Sequence, residues 1–319
     1  MNPERKVLVT GATGFVGQVL LRMLPPSTHT IGRSKPIHPC TFFELDFNDS
    51  LDYATAFDGV EVVVHCAARV HIMNEESKNP LEEYRRLNTY ATLHLAKQAA
   101  IKGVKRFIFI SSVKVNGEST SGRSPFTADD NRAADDFYGQ SKSEAEEQLL
   151  QLAKDTGLEV VIIRPPLVYG PGVKANFSAL MNVVSKGIPL PFGCINTNKR
   201  SLVSVDNLVD LIVTCIEHPK AANQVFLVSD DHDVSTSEMV REMAKALGKR
   251  DWQIPVPLWC FKLLGQILNK EPIVGRLIGS LQVDISHTKE TLNWHPPQTL
   301  EEGFRKTANA FLQSKNKEQ

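Results

Sequence analysis

The hydrophobic positions of the chain fall into short runs that alternate with longer segments of helical period. Helical patterns occur at 15–24, 80–102 and 138–154. Five β-branched runs, typical of strands buried on both faces, lie around them: KVLVT (6–10), EVVVHC (61–66), RFIFIS (106–111), EVVIIR (159–164) and QVFLVS (224–229). Strands that alternate with helices indicate a parallel sheet covered by helices on both faces. We therefore predict an α/β protein with a doubly wound parallel sheet.

A change in this pattern divides the chain into two regions. The alternation loosens after RPPLVYGPG (164–172), and Pro and Gly recur in GIPLPFGC (187–194). We predict that residues 1–170 form the main sheet domain. Residues 171–312 are expected to form a smaller mixed α/β C-terminal lobe, with some elements that return to the sheet. The polar tail 313–319 is expected to be disordered.

The composition limits the classes of function. Of 319 residues, 42% are hydrophobic and 23% are charged, and Lys plus Arg equals Asp plus Glu at 36 each. A chain with no net charge offers no basic field for nucleic acid. The five cysteines form no CxxC pair and have no zinc-ligand spacing to the histidines. We therefore expect no metal site, and free thiols in a reducing cytoplasm.

The most apolar later segment is PLWCFKLLGQIL (257–268). A helix that spans a bilayer needs about 20 apolar residues, and this segment is shorter and contains a lysine. We expect a core helix here, with contact to a membrane or a partner as the alternative. The strand-like run near the start leaves no room for a signal peptide, which also favours a cytoplasmic protein.

Three glycines, Gly11, Gly14 and Gly17, lie between the first predicted strand and the first predicted helix. Glycines at this point permit a tight turn, a close approach of the backbone to a pyrophosphate, and close helix packing. The N-terminus of the helix would hold the phosphate. The loop therefore predicts that residues 1–170 are a Rossmann domain that binds a dinucleotide.

The second predicted strand bears on the choice between NAD and NADP. An acidic residue there would hold the adenosine ribose of NAD, whereas an arginine would accommodate the 2′-phosphate of NADP. The segment HTIGRSKP contains Arg33 and Lys35 and no carboxylate. This favours NADP, with NAD as the alternative. Asp46 could hold the adenine amino group, or it could simply begin the next helix.

A tyrosine and a lysine, Tyr138 and Lys142, lie four residues apart at the start of a predicted helix. Positions i and i+4 share one face of a helix, so the two groups can address one small volume. The positive charges of Lys142 and an oxidised nicotinamide would lower the pKa of the Tyr138 phenol. Tyr138 could then exchange a proton with an alcohol oxygen, while Ser112, at the end of a strand, orients that oxygen.

The same motifs carry a resemblance to a known family. TGATGFVG (10–17), VVHCAA (63–68), YGQSK (138–142) and RPPLVYGPG (164–172) occur in one chain in this order. The chain resembles an extended short-chain dehydrogenase/reductase of the NAD(P)-dependent nucleotide-sugar epimerase and dehydratase family. Within it, the chain is similar to enzymes of the UDP-glucose 4-epimerase type and to 4-ketoreductases that form UDP-N-acetylquinovosamine.

The resemblance implies a set of site residues. Cofactor contacts are implied at Gly11, Thr13, Gly14, Phe15, Val16, Gly17, Arg33, Asp46, Ala67, Ala68, Asn88, Tyr138, Lys142 and Pro165. Contacts to a UDP-sugar are implied at Ser112, Lys114, Asn176, Phe177, Arg200 and Arg276, and His71 and Met73 could border the sugar. Arginine suits such a ligand because its guanidinium binds phosphate in a bidentate manner.

The reaction that the resemblance implies is redox chemistry at C4 of the sugar. Dehydratases of this family have an Asp-Glu pair where this chain has Val113 and Lys114, which argues against dehydration. Because Arg33 favours NADP, we expect an NADPH-dependent 4-ketoreductase of surface-polysaccharide biosynthesis. The alternative is a UDP-glucose or UDP-N-acetylglucosamine 4-epimerase that retains NAD.

Two other classes remain as lesser alternatives. A reductase of apolar substrates would not need Asn176 or Arg200, and a non-catalytic NADP sensor would not need Ser112, Tyr138 and Lys142 together. Related enzymes commonly form homodimers through the two long helices, which here are the predicted helices 80–102 and 138–154. We therefore expect a homodimer.

Overall fold

The computed structural model of the chain describes residues 5–70 and 79–318. Its strands are β1 (Val7–Thr10), β2 (His29–Gly32), β3 (Thr41–Glu44), β4 (Val62–His65), β5 (Arg106–Ile110), β6 (Glu159–Arg164), β7 (Leu167–Tyr169), β8 (Leu202–Ser204) and β9 (Gln224–Leu227). Seven of them form one sheet in the order β3-β2-β1-β4-β5-β6-β9. Every adjacent pair is parallel, which confirms the predicted α/β fold with a doubly wound parallel sheet.

Helices cover both faces of this sheet. They are α1 (Phe15–Met23), α2 (Pro80–Arg85), α3 (Thr92–Ile101), α4 (Phe137–Thr156), α5 (Ala175–Ser185), α6 (Val205–Glu217), α7 (Thr236–Ala246), α8 (Leu258–Ile267), α9 (Glu271–Ile278), α10 (Ser286–Leu292) and α11 (Leu300–Glu318). A π-helical segment, Arg86–Ala91, joins α2 to α3. One core cluster packs α1 and α6 against the sheet, and a second packs α3 and α4 against the opposite face.

The order of the strands places a crevice at one edge of the sheet. The chain runs from β1 outward to β3 and then returns to β4 on the other side of β1. In open parallel sheets, ligands bind at the carboxyl ends of the strands where the order reverses in this way. The carboxyl ends of β1 and β4 therefore mark the expected cofactor site.

The C-terminal region adds a separate small core. Strands β7 and β8 pair in parallel outside the main sheet, and residues from α5, α7 and α11 pack around Tyr169. Elements after residue 170 also contribute to the main sheet: β9 pairs with β6, and α6 packs on one face. The boundary between domains at residue 170 stays a prediction.

Two parts of the C-terminal region differ from the prediction. Segment 257–268 forms α8, but most of its apolar side chains are exposed, so it is not a core helix. The predicted disordered tail is also wrong, because α11 continues to Glu318. Lys315 anchors this end of α11 by donating a hydrogen bond of 3.0 Å from Nζ to Ser185 Oγ. Among the described helices, none is both long and apolar enough to cross a membrane.

Candidate active site

The loop between β1 and α1 has the geometry expected of a phosphate cradle. Gly11 has φ +69°, and a Cβ atom there would lie 2.6 Å from the backbone nitrogen of Ala67, at the end of β4. A Cβ on Gly17 would lie 2.2 Å from the Gly11 oxygen. Gly14 is the N-cap of α1 and provides no side-chain cap, so the first amides of the helix remain available for an anion. These residues fit a dinucleotide.

A cleft of about 830 Å³ opens beside this loop. Seven of the predicted cofactor residues line it: Gly11, Thr13, Gly14, Arg33, Asp46, Ala67 and Ala68. Phe15, Val16 and Gly17 instead form the first turn of α1, behind the loop. Cys66, Arg69 and Arg86 also line the cleft and were not predicted from the sequence. The two arginines follow no glycine motif, so no sequence signal identifies them.

The rim of the cleft holds an arginine together with an acid. Arg33 Nε lies 4.0 Å from Asp46 Oδ1, and both side chains are largely exposed. From the sequence, Arg33 was predicted to lie at the ribose with no carboxylate beside it. Asp46 was not paired with Arg33 in that prediction because it follows β3, whereas Arg33 follows β2. The adjacent carboxylate offsets part of the charge of Arg33, and the exposure of both side chains keeps this attraction weak.

Two of the predicted catalytic residues, Ser112 and Lys142, lie at the carboxyl end of β5. Ser112 follows β5 and caps a 3₁₀ turn, Val113–Val115. Lys142 is buried and donates a hydrogen bond of 2.9 Å from Nζ to the carbonyl oxygen of Ile110, the last residue of β5. Its ammonium also lies 4.3 Å from the centre of the Phe109 ring. Tyr138 is one turn earlier in α4, on the face that carries Lys142.

The pKa values of this pair differ from the sequence expectation. Burial raises the pKa of Tyr138, and the negative charge of Asp136 raises it further. Burial lowers the pKa of Lys142 to about 7, although Cys66 and Glu146 partly oppose that effect. The protein groups alone therefore do not produce the lowered phenol pKa that we expected from Lys142, because burial and the charge of Asp136 both act in the opposite direction.

Asn88, predicted to contact the cofactor, does not face the cleft. Its side chain instead connects the loop after β4 to helix α4. Its side chain accepts a hydrogen bond of 2.8 Å from Arg69 N and donates one of 3.0 Å to Arg69 O. It also donates to Ser141 Oγ at 3.0 Å, and Ser141 Oγ in turn donates to Tyr138 O. The fully buried Asn88 thus ties the loop after β4 to the turn that carries Tyr138.

Lys114 contacts Ser112 through its backbone amide and the start of α4 through its side chain. Its backbone amide donates to Ser112 Oγ at 3.3 Å. Its ammonium pairs with Glu118 and with Asp136, whose other oxygen caps α4 by accepting a hydrogen bond of 2.6 Å from Gly139 N. The ammonium predicted to contact substrate is therefore held by two carboxylates. The aspartate before FYGQSK is itself a readable N-cap signal.

A buried ion pair lies directly below this site. Glu146, fully buried in α4, accepts hydrogen bonds from Arg164 Nε at 3.0 Å and Nη2 at 2.6 Å. Ser111 Oγ donates to the same carboxylate at 2.5 Å, and Asn116 Oδ1 accepts from Arg164 Nη1 at 3.2 Å. This network attaches α4 to the ends of β5 and β6. It thereby positions Lys142, which lies one helical turn before Glu146.

Two arginines from distant parts of the sequence, Arg200 and Arg276, lie next to each other in the C-terminal region. Arg200 Nη1 donates to the backbone oxygen of Arg276 at 2.6 Å and to that of Gly279 at 3.3 Å. Burial lowers the pKa of Arg200, and the positive charge of Arg276 lowers it further. Within the described part of the chain, neither guanidinium forms an ion pair with a carboxylate. Two adjacent cations without an acid favour an anionic ligand.

The other predicted substrate and cofactor residues have different positions. The ring of Phe177 is buried in the C-terminal core, 5.5 Å from Tyr169 and 5.8 Å from Phe304, so it packs rather than faces a ligand. Pro165 follows β6 and accepts a hydrogen bond from Val113 N at 3.0 Å, beside Ser112. Asn176 lies in α5, but its side chain is outside the described part, as are His71 and Met73.

A parallel sheet with a glycine-lined cleft and a Ser, Tyr and Lys at one strand end defines an NAD(P)-dependent oxidoreductase fold. Residues 7–229 match the NAD dependent epimerase/dehydratase family. The chain belongs to this family and is an NAD(P)-dependent enzyme of the extended short-chain dehydrogenase/reductase type. The resemblance drawn from its motifs is confirmed at this level.

Comparisons with individual proteins narrow the choice of reaction. A Vibrio cholerae protein named UDP-glucose 4-epimerase is 61% identical over 98% of this chain and 97% of its own length. The expectation of a 4-ketoreductase is therefore wrong, and the alternative, a 4-epimerase, is favoured. The ketoreductase expectation rested on Arg33 considered without Asp46, which the fold places next to it.

Solved structures of lower identity confirm the fold. A UDP-glucose 4-epimerase from Thermotoga maritima, solved with UDP-glucose, has TM-score 0.78 and 22% identity and covers 97% of this chain and 99% of its own. A UDP-glucuronic acid 4-epimerase from Bacillus cereus, solved with NAD, has TM-score 0.77 and 21% identity with the same coverage.

Proposed function

We propose that the protein is a UDP-sugar 4-epimerase that interconverts UDP-glucose and UDP-galactose. The observation that carries the proposal is the 61% identity with a UDP-glucose 4-epimerase over nearly the whole chain. The cleft beside Gly11, the group of Ser112, Tyr138 and Lys142, and the arginine pair all suit this substrate class. Epimerisation at C4 involves no net oxidation, so no external reductant is consumed.

The catalytic roles proposed here follow from the positions of the side chains. Tyr138 takes the proton of the C4 hydroxyl as the 4-keto sugar forms, and returns it when the alcohol is restored. Ser112 hydrogen-bonds the same oxygen and orients it. Lys142, held on the Ile110 carbonyl, places its charge near the phenol. When bound beside Gly11, a nicotinamide dinucleotide would supply the acceptor and donor of the C4 hydride.

The cofactor that we propose is NAD. Asp46 lies close enough to Arg33 to offset its charge, and a second anion at this rim would meet the carboxylate. Retained NAD also suits a reaction that returns its hydride to the same sugar. NADP is the alternative, because Arg33 favours it when that residue is considered alone. The next experiment distinguishes NAD from NADP.

The first experiment measures conversion without added cofactor. Purified protein is expected to convert UDP-glucose to UDP-galactose, followed by chromatography of the nucleotide sugars. Heat-denatured protein is expected to release NAD and not NADP into the supernatant, identified by mass. If folded protein that carries a dinucleotide forms no UDP-galactose, the proposed reaction is wrong. If the released dinucleotide is NADP, the cofactor assignment alone is wrong.

The arginine pair is proposed to hold the diphosphate of the substrate. Arg276→Gln is expected to raise the KM for UDP-glucose about tenfold or more, because a charge-assisted hydrogen bond is worth about 1.5–3 kcal/mol. The effect on kcat should be smaller, since the diphosphate is remote from C4. The contact of Arg200 with the Arg276 backbone survives this substitution. Steady-state kinetics measure both constants.

An exposed cation on the neighbouring helix turn provides the control for this variant. Lys270 precedes α9 and is exposed like Arg276. Lys270→Gln removes the same charge, so a general electrostatic effect would raise KM equally in both variants. Equal changes would contradict a specific diphosphate contact at Arg276.

A further inference from the structure

The α8–α9 hairpin exposes an unusual amount of apolar surface. Its exposed apolar side chains are Trp259, Leu263, Leu264, Ile267 and Leu268 around α8, and Ile273 on α9, and between 48% and 66% of each is accessible. We call these six residues the α8–α9 face. Single exposed apolar residues are ordinary, but a contiguous apolar face on a hairpin indicates an interaction site.

The two helices of the hairpin pack closely against each other and against the C-terminal lobe. Gly265 of α8 lies against α9 so closely that a Cβ atom there would be 3.0 Å from Val274 Cγ2. Phe261, on the inner side of α8, is buried and stacks at 6.4 Å on Phe192 of the C-terminal lobe. The hairpin therefore packs on the C-terminal lobe through Phe261. The other apolar residues of α8 lie on the opposite side and are exposed.

Two lysines accompany the apolar residues. Apart from Arg276, which is assigned to the diphosphate, positions 258–278 carry Lys262 and Lys270 and a single acid, Glu271. Both lysines are exposed. Helices with Trp and Leu on one side and Lys beside them lie in the plane of a membrane interface, where the apolar residues enter the acyl boundary and the cations meet anionic headgroups.

The length of α8 agrees with a position at the surface of a bilayer. Its 10 residues span about 15 Å, too short to cross the hydrocarbon layer but sufficient to lie along its surface. Trp259 suits the headgroup level, where tryptophan is enriched. A second copy of the chain is a poorer occupant, because a two-fold axis through the face would bring the same cations of both copies together.

We propose that the α8–α9 face binds the surface of an anionic phospholipid membrane. The same hairpin carries Arg276, whose backbone oxygen accepts the hydrogen bond from Arg200. Binding at this face would therefore hold the arginine pair next to the membrane. The inference does not depend on the proposed reaction, since it rests on exposure and charge outside the cleft.

Cosedimentation with vesicles tests this proposal. The full chain is mixed with vesicles of phosphatidylcholine alone, or of phosphatidylcholine and phosphatidylglycerol in equal parts. We expect the wild type to pellet with the anionic vesicles and only weakly with the neutral ones. Ile267→Glu should weaken binding to the anionic vesicles at least about tenfold, because it removes a large apolar side chain and adds a negative charge.

A matched variant controls for the change of surface character. Ile101 ends α3 and is 82% exposed, so Ile101→Glu makes the same chemical change on a different face and should leave binding unaltered. Conversion of UDP-glucose by both variants would report that each is folded. Equal binding by Ile267→Glu and wild type would overturn the proposal, as would wild-type protein that ignores anionic vesicles. A dimer in solution that Ile267→Glu dissociates would assign the face to a second copy instead.

Discussion

Replacing Tyr138 by Phe is expected to lower kcat for the conversion of UDP-glucose about 10³-fold. Transfer of a proton by a positioned side chain contributes roughly 10²–10⁴ to the rate, and the variant loses only the hydroxyl that performs it. Neither Asn88 nor Lys142 uses that hydroxyl in the hydrogen bonds described above. The KM for the sugar and the dinucleotide content should therefore change little.

The control for this variant is a second tyrosine nearby. Tyr90 is 38% exposed in the π-helical segment before α3, so Tyr90→Phe removes a phenol hydroxyl without touching the end of β5. Its kcat should equal that of the wild type. A Tyr138→Phe protein that holds its dinucleotide and still turns over at a comparable rate would contradict the role of Tyr138 as the acid and base.

Strands buried on both faces are the part of this fold that the sequence predicts best. The runs that became β1, β4, β5, β6 and β9 are continuous and apolar because each is covered by helices on two sides. The edge strand β3 was not predicted, because it is partly exposed and offers no such run. The π-helical segment was also missed, since it keeps the helical period of its neighbours and is marked by no proline or glycine.

The site was predictable where one local motif carries it. The glycine loop and the Tyr-Lys spacing are such motifs, and the structure places both at the carboxyl edge of the sheet. The Arg33 and Asp46 pair, and the meeting of Arg200 with Arg276, join segments that are far apart in the chain. Only the fold brings them together, so no reading of local patterns distinguishes an isolated cation from a paired one.

The exposure of α8 also could not be predicted from a local pattern. Its apolar residues repeat around most of the helix, and a pattern of this kind is typical of a helix buried in a core. Whether a neighbour covers such a helix depends on packing between distant elements. Here the inner side alone is filled, by Phe261 and Gly265, and the remaining apolar positions stay exposed.

Replacing Lys142 by Met is expected to stabilise the protein while it destroys activity. The pKa of Lys142 is lowered from 10.5 to about 7 because its ammonium is buried. At about 1.4 kcal/mol per pKa unit, burial of the cation costs on the order of 5 kcal/mol. The lost hydrogen bond to Ile110 and the contact with Phe109 offset part of this gain. We therefore expect a net gain of roughly 2 kcal/mol in the free energy of unfolding at pH 6.

The pH dependence of this gain has a defined sign. Below pH 7 the lysine is charged in both the folded and the unfolded chain, so the whole cost of burial is present and Met removes it. Between pH 7 and pH 10.5 the unfolded chain binds more protons than the folded one, and the stability of the wild type rises with pH. The advantage of the variant should therefore shrink across this range.

Denaturant unfolding of both proteins at pH 6 and pH 9 measures the difference, with UDP-glucose conversion followed in parallel. Lys154, an exposed lysine in the last turn of the same helix, gives the matched control Lys154→Met, which should change neither quantity. A Lys142→Met protein less stable than the wild type at pH 6 would show that the contacts with Ile110 and Phe109 outweigh the cost of burying the charge. A stable but inactive variant would instead indicate that Lys142 is needed for catalysis although it lowers the stability of the fold. Such a trade-off between activity and stability is common at functional sites.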